Sequence, residues 1–511
     1  MASSLAGGCL VGPDYTAPKA DVAEAWLDVA GPPAADEARW WQTLGDPALD
    51  RLVEEALAQN LTLRQAGLRV LRARALRGIE VGRFFPQSQA AVAGASHNQL
   101  SQNATPAGDL TFDDYSVGLA AAWELDFWGK FRRGIESADA ALEASVADYD
   151  GVLVLVAADV ASDYVVLRSL QEQLAFTRSN IAAQEDTLEL TRIRLEAGAV
   201  SELDVATAQA TLSNTEALVP QLEDDLRGTT LALCVLLGRA PSDLTAALGD
   251  GGVPVAPPEI AVGIPADLLR RRPDVRRAER TAAALSAQIG VAAADLYPSF
   301  TIQGVTGFHT TTFDSPALSP SAGDLFDADS FEGFLGLGVN LPILNYGRIR
   351  NNVRAADALF EEAAVAYRNT VLQAAAEVET GLSSFLRGRE RAAHLGESVT
   401  AAERAAELSL IQYRQGAADF LRVNTAQVDL VERQNDLVLA RANIAQAVIA
   451  TYRALGGGWE TRAGHEFVPQ ETIDALRART NWGDVLAPDY EQGTDLLLFE
   501  RPDSPAEEIE P

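Results

Sequence analysis

Apolar residues recur at every seventh position over two long stretches of the chain. The first row is Val146, Leu153, Val160, Leu167, Leu174, Ile181, Leu188, Leu195, and the second is Ala364, Val371, Val378, Phe385, Ala392, Val399, Ala406, Tyr413. Each is followed by a shorter row: Val205, Leu212, Val219, Leu226, Leu233, and then Val423, Leu430, Leu437, Ile444, Thr451. A sustained seven-residue period predicts long helices packed side by side as coiled coils. The second set repeats the first at a fixed offset. Gly198 in LEAGAVSELDVATAQ answers to Gly416 in YRQGAADFLRVNTAQ, 416 − 198 = 218. The same offset carries Gly129 to Gly347, Tyr149 to Tyr367, Thr207-Ala208-Gln209 to Thr425-Ala426-Gln427, and Leu237-Gly238 to Leu455-Gly456. An offset that never slips means no insertion, which suits a rod better than a globule with tolerant loops. No proline falls between Gly129 and Ala197, so one arm reaches ~100 Å at ~1.5 Å per residue. The period alone favours a bundle core; two duplicated hairpins shift the reading to a tubular wall.

A second period, of two residues, precedes each hairpin. Ser88 to His97 alternates weakly. Tyr115 to Leu125 places Val117, Leu119, Ala121, Trp123 and Leu125 on one face and small or polar residues on the other. After a Pro/Gly/Asp-rich linker, Ser299 to Phe308 and Phe334 to Leu341 repeat the alternation, the last with Leu335, Leu337, Val339 and Leu341 together. These stretches predict two β-hairpins with long polar loops, Gln99 to Asp114 and Thr310 to Glu332. One helix is expected from about Pro47 to Arg83, and an irregular, acidic segment from Gly456 to Pro511. Strands apolar on one face suit a bilayer only if their edges are closed, and the smallest outer-membrane barrels need about eight strands. Three copies supply 3 × 4 = 12 strands and 12 long helices, so a three-fold ring becomes a pseudo-six-fold tube.

Composition narrows the function classes. The formal charge is 41 − 72 = −31, which disfavours nucleic acid as a partner. Two cysteines make no disulfide framework; Cys234 in LALCVLLG reads as buried packing. No run approaches ~18 uninterrupted apolar residues, so no transmembrane helix is expected. His97, His309, His394 and His465 are isolated, without ligand or triad spacing, so neither an enzyme nor a cofactor is expected. Ala6-Gly7-Gly8-Cys9 resembles a bacterial lipoprotein cleavage site, although Leu5 stands four residues before the cysteine rather than three. Cys9 is read as the acylated residue, with a plain exposed thiol as the alternative, and residues 1–8 as a signal-peptide remnant.

Taken together, CLVGPDYTAP, ADLLRRRPDVRRAE, LYPSFTI, LPILNYGRIR and the two G…TAQ turns resemble the TolC-like outer-membrane factors, in particular the NodT-type lipoprotein branch that serves resistance-nodulation-division efflux pumps. The resemblance covers roughly Cys9 to Trp459. It implies an α+β membrane protein: a trimeric 12-stranded β-barrel in the outer membrane, continued by a long α-helical barrel in the periplasm. It also implies a channel that conducts drugs and other small molecules unchanged, with a periplasmic adaptor and an inner-membrane transporter as partners. Protein secretion or metal-ion efflux is the alternative cargo. The Cys9 lipobox favours small molecules, and the single methionine, Met1, speaks against copper. A periplasmic adaptor is disfavoured because it carries one helical hairpin, not two. The expected organisation is 1–8, a lipidated extended segment 9–46, repeat 1 at 47–240, a linker 241–265, repeat 2 at 266–458, and a tail 459–511.

The hairpin turns are the candidate site. Gly198 and Gly416 suit the left-handed end of a helix, and Ser201 and Asp419 are good N-caps. Ser201 to Asp204 also fits a capping box. By resemblance, Gly198, Ala199, Val200, Ser201, Gly416, Ala417 and Ala418 form the tips on which the adaptor docks. Asp204 and Tyr413 match residues that bond each other to hold the mouth shut, beside the plainer roles of capping and heptad packing. Arg422, Asn424 and Thr425 stand where the family often carries an acidic residue, so Asp419 and Arg422 become the further gate candidates.

Overall fold

The computed structural model describes residues 10–20, 22–23, 25–27, 38–101, 103, 111–244, 248–249, 251–260, 270–313, 321–462 and 466–487. The lipidation candidate Cys9 and residues 488–511 of the acidic tail lie outside them. In chain order the elements are α1 (Pro47–Gln59), α2 (Leu61–Phe84), β1 (Ser88–Gln99), β2 (Thr111–Leu125), α3 (Lys130–Glu196), α4 (Glu202–Glu216), α5 (Leu218–Leu236) and α6 (Pro273–Ala294). Then come β3 (Ser299–Thr311), β4 (Phe331–Asn340), α7 (Arg348–Arg414), α8 (Phe420–Leu455) and α9 (Gln470–Arg479). Chain contacts divide these into one unit of residues 1–21, 75–147 and 274–372, and a second of 22–74, 148–273 and 373–511.

The first unit holds the sheet. Its order is β1-β2-β3-β4, every pair antiparallel. The register gathers the alternating residues of all four strands. Leu119 stands opposite Ala91 and Thr306, Trp123 opposite Ile302, and Ile302 opposite Leu337. Gly304 faces Leu335, and Phe300 faces both Leu125 and Val339. One side is therefore apolar, and it lies open: Leu119, Leu335, Leu337 and Val339 are 62%, 79%, 82% and 65% exposed. The other side carries mostly small and polar residues, among them Gly118 beside Gly307, and Gln303 beside Ala122 and Gly336, with Val305 and Phe334 as an apolar pair. A Cβ added at Gly118 would stand 2.6 Å from the Thr306 carbonyl oxygen, so this close strand pairing admits only glycine.

The strands differ from the expected bounds at their loop ends. β2 begins at Thr111 rather than Tyr115 and β3 runs to Thr311, because the polar residues there pair with each other: Thr312 N donates to Asp113 O at 2.8 Å and Asp113 N to Thr312 Oγ1 at 2.7 Å. β4 covers 331–340 instead of 334–341; Pro342, without an amide hydrogen, ends it. In the same unit the N-terminal segment is strapped to the start of α3. Val11 N donates to Trp128 O at 3.1 Å, and the buried Arg133 guanidinium donates to Gly12 O and to Asp14 Oδ1.

The second unit holds the coiled coils. Every heptad residue that falls in it, from Leu153 to Leu195 and from Val378 to Tyr413, with both shorter rows, is buried or half-buried. α3 and α7 have 67 residues each and begin and end 218 positions apart, 348 − 130 and 414 − 196. The returning arms differ. α8 is continuous, whereas the first copy breaks at Ala217 between α4 and α5. Pro220 withholds the amide that would reach the Glu216 carbonyl, while Val438, its counterpart 218 later, is buried in an unbroken helix.

Two further expectations are corrected here. The single helix from Pro47 to Arg83 is two, because Asn60 leaves helical geometry at ψ 126°. Its Oδ1 accepts from Leu63 N at 2.9 Å, and its Nδ2 donates to Leu236 O at 2.8 Å. It thus caps α2. The segment after Gly456 is not wholly irregular, since α9 packs Ile473 and Leu476 against Leu71, Val468 and Leu486. Ten residues are too short for a periodic pattern to stand out. The core of this unit includes Trp40, stacked on Tyr452 at 5.6 Å, with Leu233 and Cys234 fully buried. Part of the linker is fixed along α3: Arg168 donates to the carbonyls of Leu248 and Gly249, and Glu172 accepts from Val253 N. Among the described residues no helix is long and apolar enough to cross a membrane.

Candidate functional site at the hairpin tips

Both tips are built alike. α3 ends with Gly198 at φ +71°, where Gly198 N donates to Leu195 O and Ala199 N to Arg194 O, both at 2.8 Å. α7 ends with Gly416 at φ +76°, where Gly416 N donates to Tyr413 O at 2.9 Å and Ala417 N to Gln412 O at 2.8 Å. This paired pattern satisfies carbonyls that a helix end leaves open and needs a left-handed residue. A Cβ at Gly198 would meet nothing within 4 Å, so glycine is there for its backbone freedom alone. Gly198, Ala199, Ser201, Gly416 and Ala417 are exposed, and Val200 and Ala418 half-buried. Just beyond them the matching Leu203 and Leu421 are 73% and 63% exposed.

The returning helices start on side-chain caps. Asp204 Oδ2 accepts from Ser201 N at 2.9 Å and Ser201 Oγ at 2.8 Å, while Ser201 Oγ accepts from Asp204 N: a capping box. Asp419 Oδ1 accepts from Arg422 N at 3.1 Å. The Arg422 side chain is exposed. Asn424 Oδ1 accepts from Thr211 Oγ1 of the first hairpin at 2.7 Å, and Thr425 Oγ1 donates within its own helix to Leu421 O at 2.9 Å.

Tyr413 is 1% exposed, within a cluster of Leu188, Ala208, Leu212, Phe420 and Val423. Its ring meets Phe420 edge-on at 6.0 Å. Its hydroxyl is paired with Thr191 Oγ1 at 3.3 Å, and Thr191 itself donates to Thr187 O at 2.7 Å. Within this one chain the Tyr413 hydroxyl and the Asp204 carboxylate thus have other partners, Thr191 and Ser201. The Asp204 carboxylate is taken up by its own helix start, and the Tyr413 hydroxyl is turned into the seam with α3. Beside the Tyr413–Thr191 and Thr211–Asn424 bonds, Arg194 also joins the two hairpins. Its guanidinium lies over the Tyr413 ring, 4.4 Å from the centroid, and donates to the Tyr413 carbonyl. Sequence reasoning missed Arg194. The available signal was a basic residue in the last turn of a helix, but a helix-end arginine ordinarily serves its own carbonyls. Further along the seam Gln427 donates to Thr187 Oγ1 at 2.8 Å and Asn180 to Gln434 Oε1 at 2.8 Å. Among the described residues no group of three or more acids, histidines or cysteines is arranged to hold a metal. The arrangement holds two helical hairpins side by side through polar contacts along their seam.

Comparison with known proteins agrees with a channel. The profile described as outer membrane efflux protein matches residues 52–239 and 264–457. Nodulation protein T of Rhizobium leguminosarum bv. trifolii is 32% identical over 455 residues, 87% of this chain and 92% of its own length. The pyoverdine export outer membrane protein OpmQ of Pseudomonas aeruginosa is 33% identical over 438 residues, 84% of this chain and 89% of its own. Among solved structures, the outer-membrane channel OprN superposes with a TM-score of 0.81 at 32% identity, over 88% of this chain and all of that one. The open state of the Neisseria gonorrhoeae MtrE outer membrane channel gives 0.77 at 26% identity, over 88% and 99%. A duplicated chain with a one-faced apolar sheet, long helical hairpins and matched tips thus belongs to the outer membrane efflux protein family, and it is an outer-membrane efflux channel.

Proposed function

We propose that three copies of this chain close a 12-stranded barrel in the outer membrane and continue it as a helical tube into the periplasm. The observation that carries this is the sheet: its apolar face is open and its outer strands, β1 and β4, lack a further partner among the described residues. Unpaired edges are not tolerated in lipid, so four strands require more strands from elsewhere. The hairpin tips, from Gly198 to Ser201 and from Gly416 to Ala418, form the periplasmic mouth and take a periplasmic adaptor, which links the channel to an inner-membrane resistance-nodulation-division transporter. The exposed Leu203 and Leu421 give that contact an apolar element. Arg194 on Tyr413 holds the mouth closed in the resting state, with Asp204 and Asp419 as helix caps and Arg422 at the rim. Cys9 carries the acyl chains of a lipoprotein.

The cargo is small organic molecules passed on without chemical change. Relatives named for pyoverdine export, antibiotic efflux and toluene efflux support that class. Native mass spectrometry of the detergent-extracted protein should give three chains. A strain lacking the protein should accumulate a fluorescent efflux substrate and recover on complementation. A stable monomer, or unchanged accumulation with its pump expressed, contradicts the proposal.

A further inference from the structure

Trp128 and Tyr346 occupy the same position in the two copies, since 346 − 128 = 218. Each precedes a left-handed glycine, Gly129 at φ +78° and Gly347 at φ +83°. Their surroundings differ. Trp128 stacks on Tyr297 at 4.7 Å and 26°, and its Nε1 donates to Pro298 O at 2.8 Å. Tyr346 is 96% exposed, and it is the one non-glycine among the described residues with a positive φ, 51°. A left-handed backbone disfavours a bulky side chain, so an aromatic ring held there in open solvent calls for a use.

The contrast extends beyond one residue. Ile343 is 82% exposed where its counterpart Leu125 is half-buried, 343 − 125 = 218. Val365 and Leu372 are 53% and 57% exposed where Ala147 and Val154, again 218 earlier, are 1% and 4%. The first copy is covered at the sheet by the second half of the chain: β2 pairs with β3, and Trp128 rests on the turn that leads into β3. Among the described residues β4, the counterpart of β2, has no such neighbour, and neither has β1. The turn into β1 is Phe85-Pro86, placed before β1 as Tyr297-Pro298 is placed before β3, and Phe85 is 40% exposed.

We infer that Tyr346 seats on the Phe85–Pro86 turn of a second copy of this chain, as Trp128 seats on Tyr297–Pro298 within the chain. The interface between the two halves then continues from each chain into the next. Such a contact joins unlike surfaces head to tail, and it ends in a ring when the rotation closes. This rests on the trimeric reading above and adds to it the residues that meet and the order in which the halves alternate.

The test is a disulfide between copies. Phe85→Cys and Tyr346→Cys are combined in a Cys234→Ser background and oxidised in isolated outer membranes. Covalent dimers and trimers on a heated, non-reducing gel, absent from either single variant, are the expected result. A three-chain particle by native mass spectrometry that does not cross-link overturns the seat and leaves the trimer standing; a particle of one chain overturns the trimer itself. If the cysteine pair does not reach the membrane, Tyr346→Gly and Tyr346→Trp decide. Glycine suits the backbone but removes the ring, so the trimer should dissociate at lower temperature with glycine and hold with tryptophan. A glycine variant as heat-resistant as the parent overturns the inference.

Discussion

Arg194 of the first hairpin covers the ring of Tyr413 in the second, 4.4 Å from its centroid, and donates to the same residue's carbonyl. The bond reaches a helix-end carbonyl that Gly416 N also uses. The link therefore depends on the ring and backbone of Tyr413, not on its hydroxyl. Tyr413→Phe loses only the pairing with Thr191, which keeps its own bond to Thr187. A single neutral hydrogen bond contributes about 1 kcal/mol. Thermal melting should show a small loss of stability, and channel recordings should show no change in resting conductance.

Asp204 and Ser201 act on the start of α4. Ser201→Ala or Asp204→Ala should each cost about 1 kcal/mol of helix stability, the usual worth of an N-cap. Hydrogen exchange should rise at the amides of Glu202 to Val205, while the tip of the second hairpin keeps its protection. Loss of protection around Tyr413 in the Asp204 variant would restore Asp204 as part of the link between hairpins.

The two sides of the sheet should respond differently to charge. Leu335 is 79% exposed on the apolar side, and Gln303, one row away, is on the polar side. An arginine facing lipid near the bilayer midplane costs about 2–4 kcal/mol. Leu335→Arg should therefore lower the amount of folded protein in outer-membrane fractions, with Gln303→Arg close to the parent. Equal loss from both would contradict the assignment of the lipid face.

Asp163, half-buried on α3, has its carboxyl raised above the ordinary aspartate range by burial first and by the neighbouring Asp159 second. A folded-state value above the unfolded one favours folding below the unfolded value, and that advantage is lost as pH rises through the folded value. At neutral pH the charged Asp163 is thus a cost. Asp163→Asn should raise the melting temperature at pH 7 and give a smaller gain as the pH is lowered past the aspartate range. A gain that is constant with pH would show that charge is not the cause.

The long helices were legible because their signal is redundant: eight heptad positions in each long arm, and an offset that fixes both ends of α3 from those of α7. The alternation of β2 and β4 likewise marked the apolar face. The register was not legible, since β2 pairs with a strand almost two hundred residues away and nothing local specifies that partner. Asn60 escaped notice because the apolar pattern runs through it, and only its bonds to Leu63 and Leu236 reveal a cap. Pro220 was visible as a residue, but its effect emerges from comparison with Val438. Arg194 was hidden for a different reason. Its partner carbonyl becomes specific only once two hairpins are placed side by side.

Arg194→Ala removes a charged hydrogen bond worth roughly 1.5–3 kcal/mol and a cation–π contact of about 0.5–2 kcal/mol, while leaving the heptad seams intact. In planar bilayers the purified parent protein should insert and conduct poorly at rest, and the Arg194→Ala protein should conduct several-fold better, with Arg194→Lys between them. Three chains per particle should be retained. The account of a channel whose mouth is held shut between its two hairpins is contradicted if the parent forms no conducting path under any condition, or if Arg194→Ala conducts like the parent.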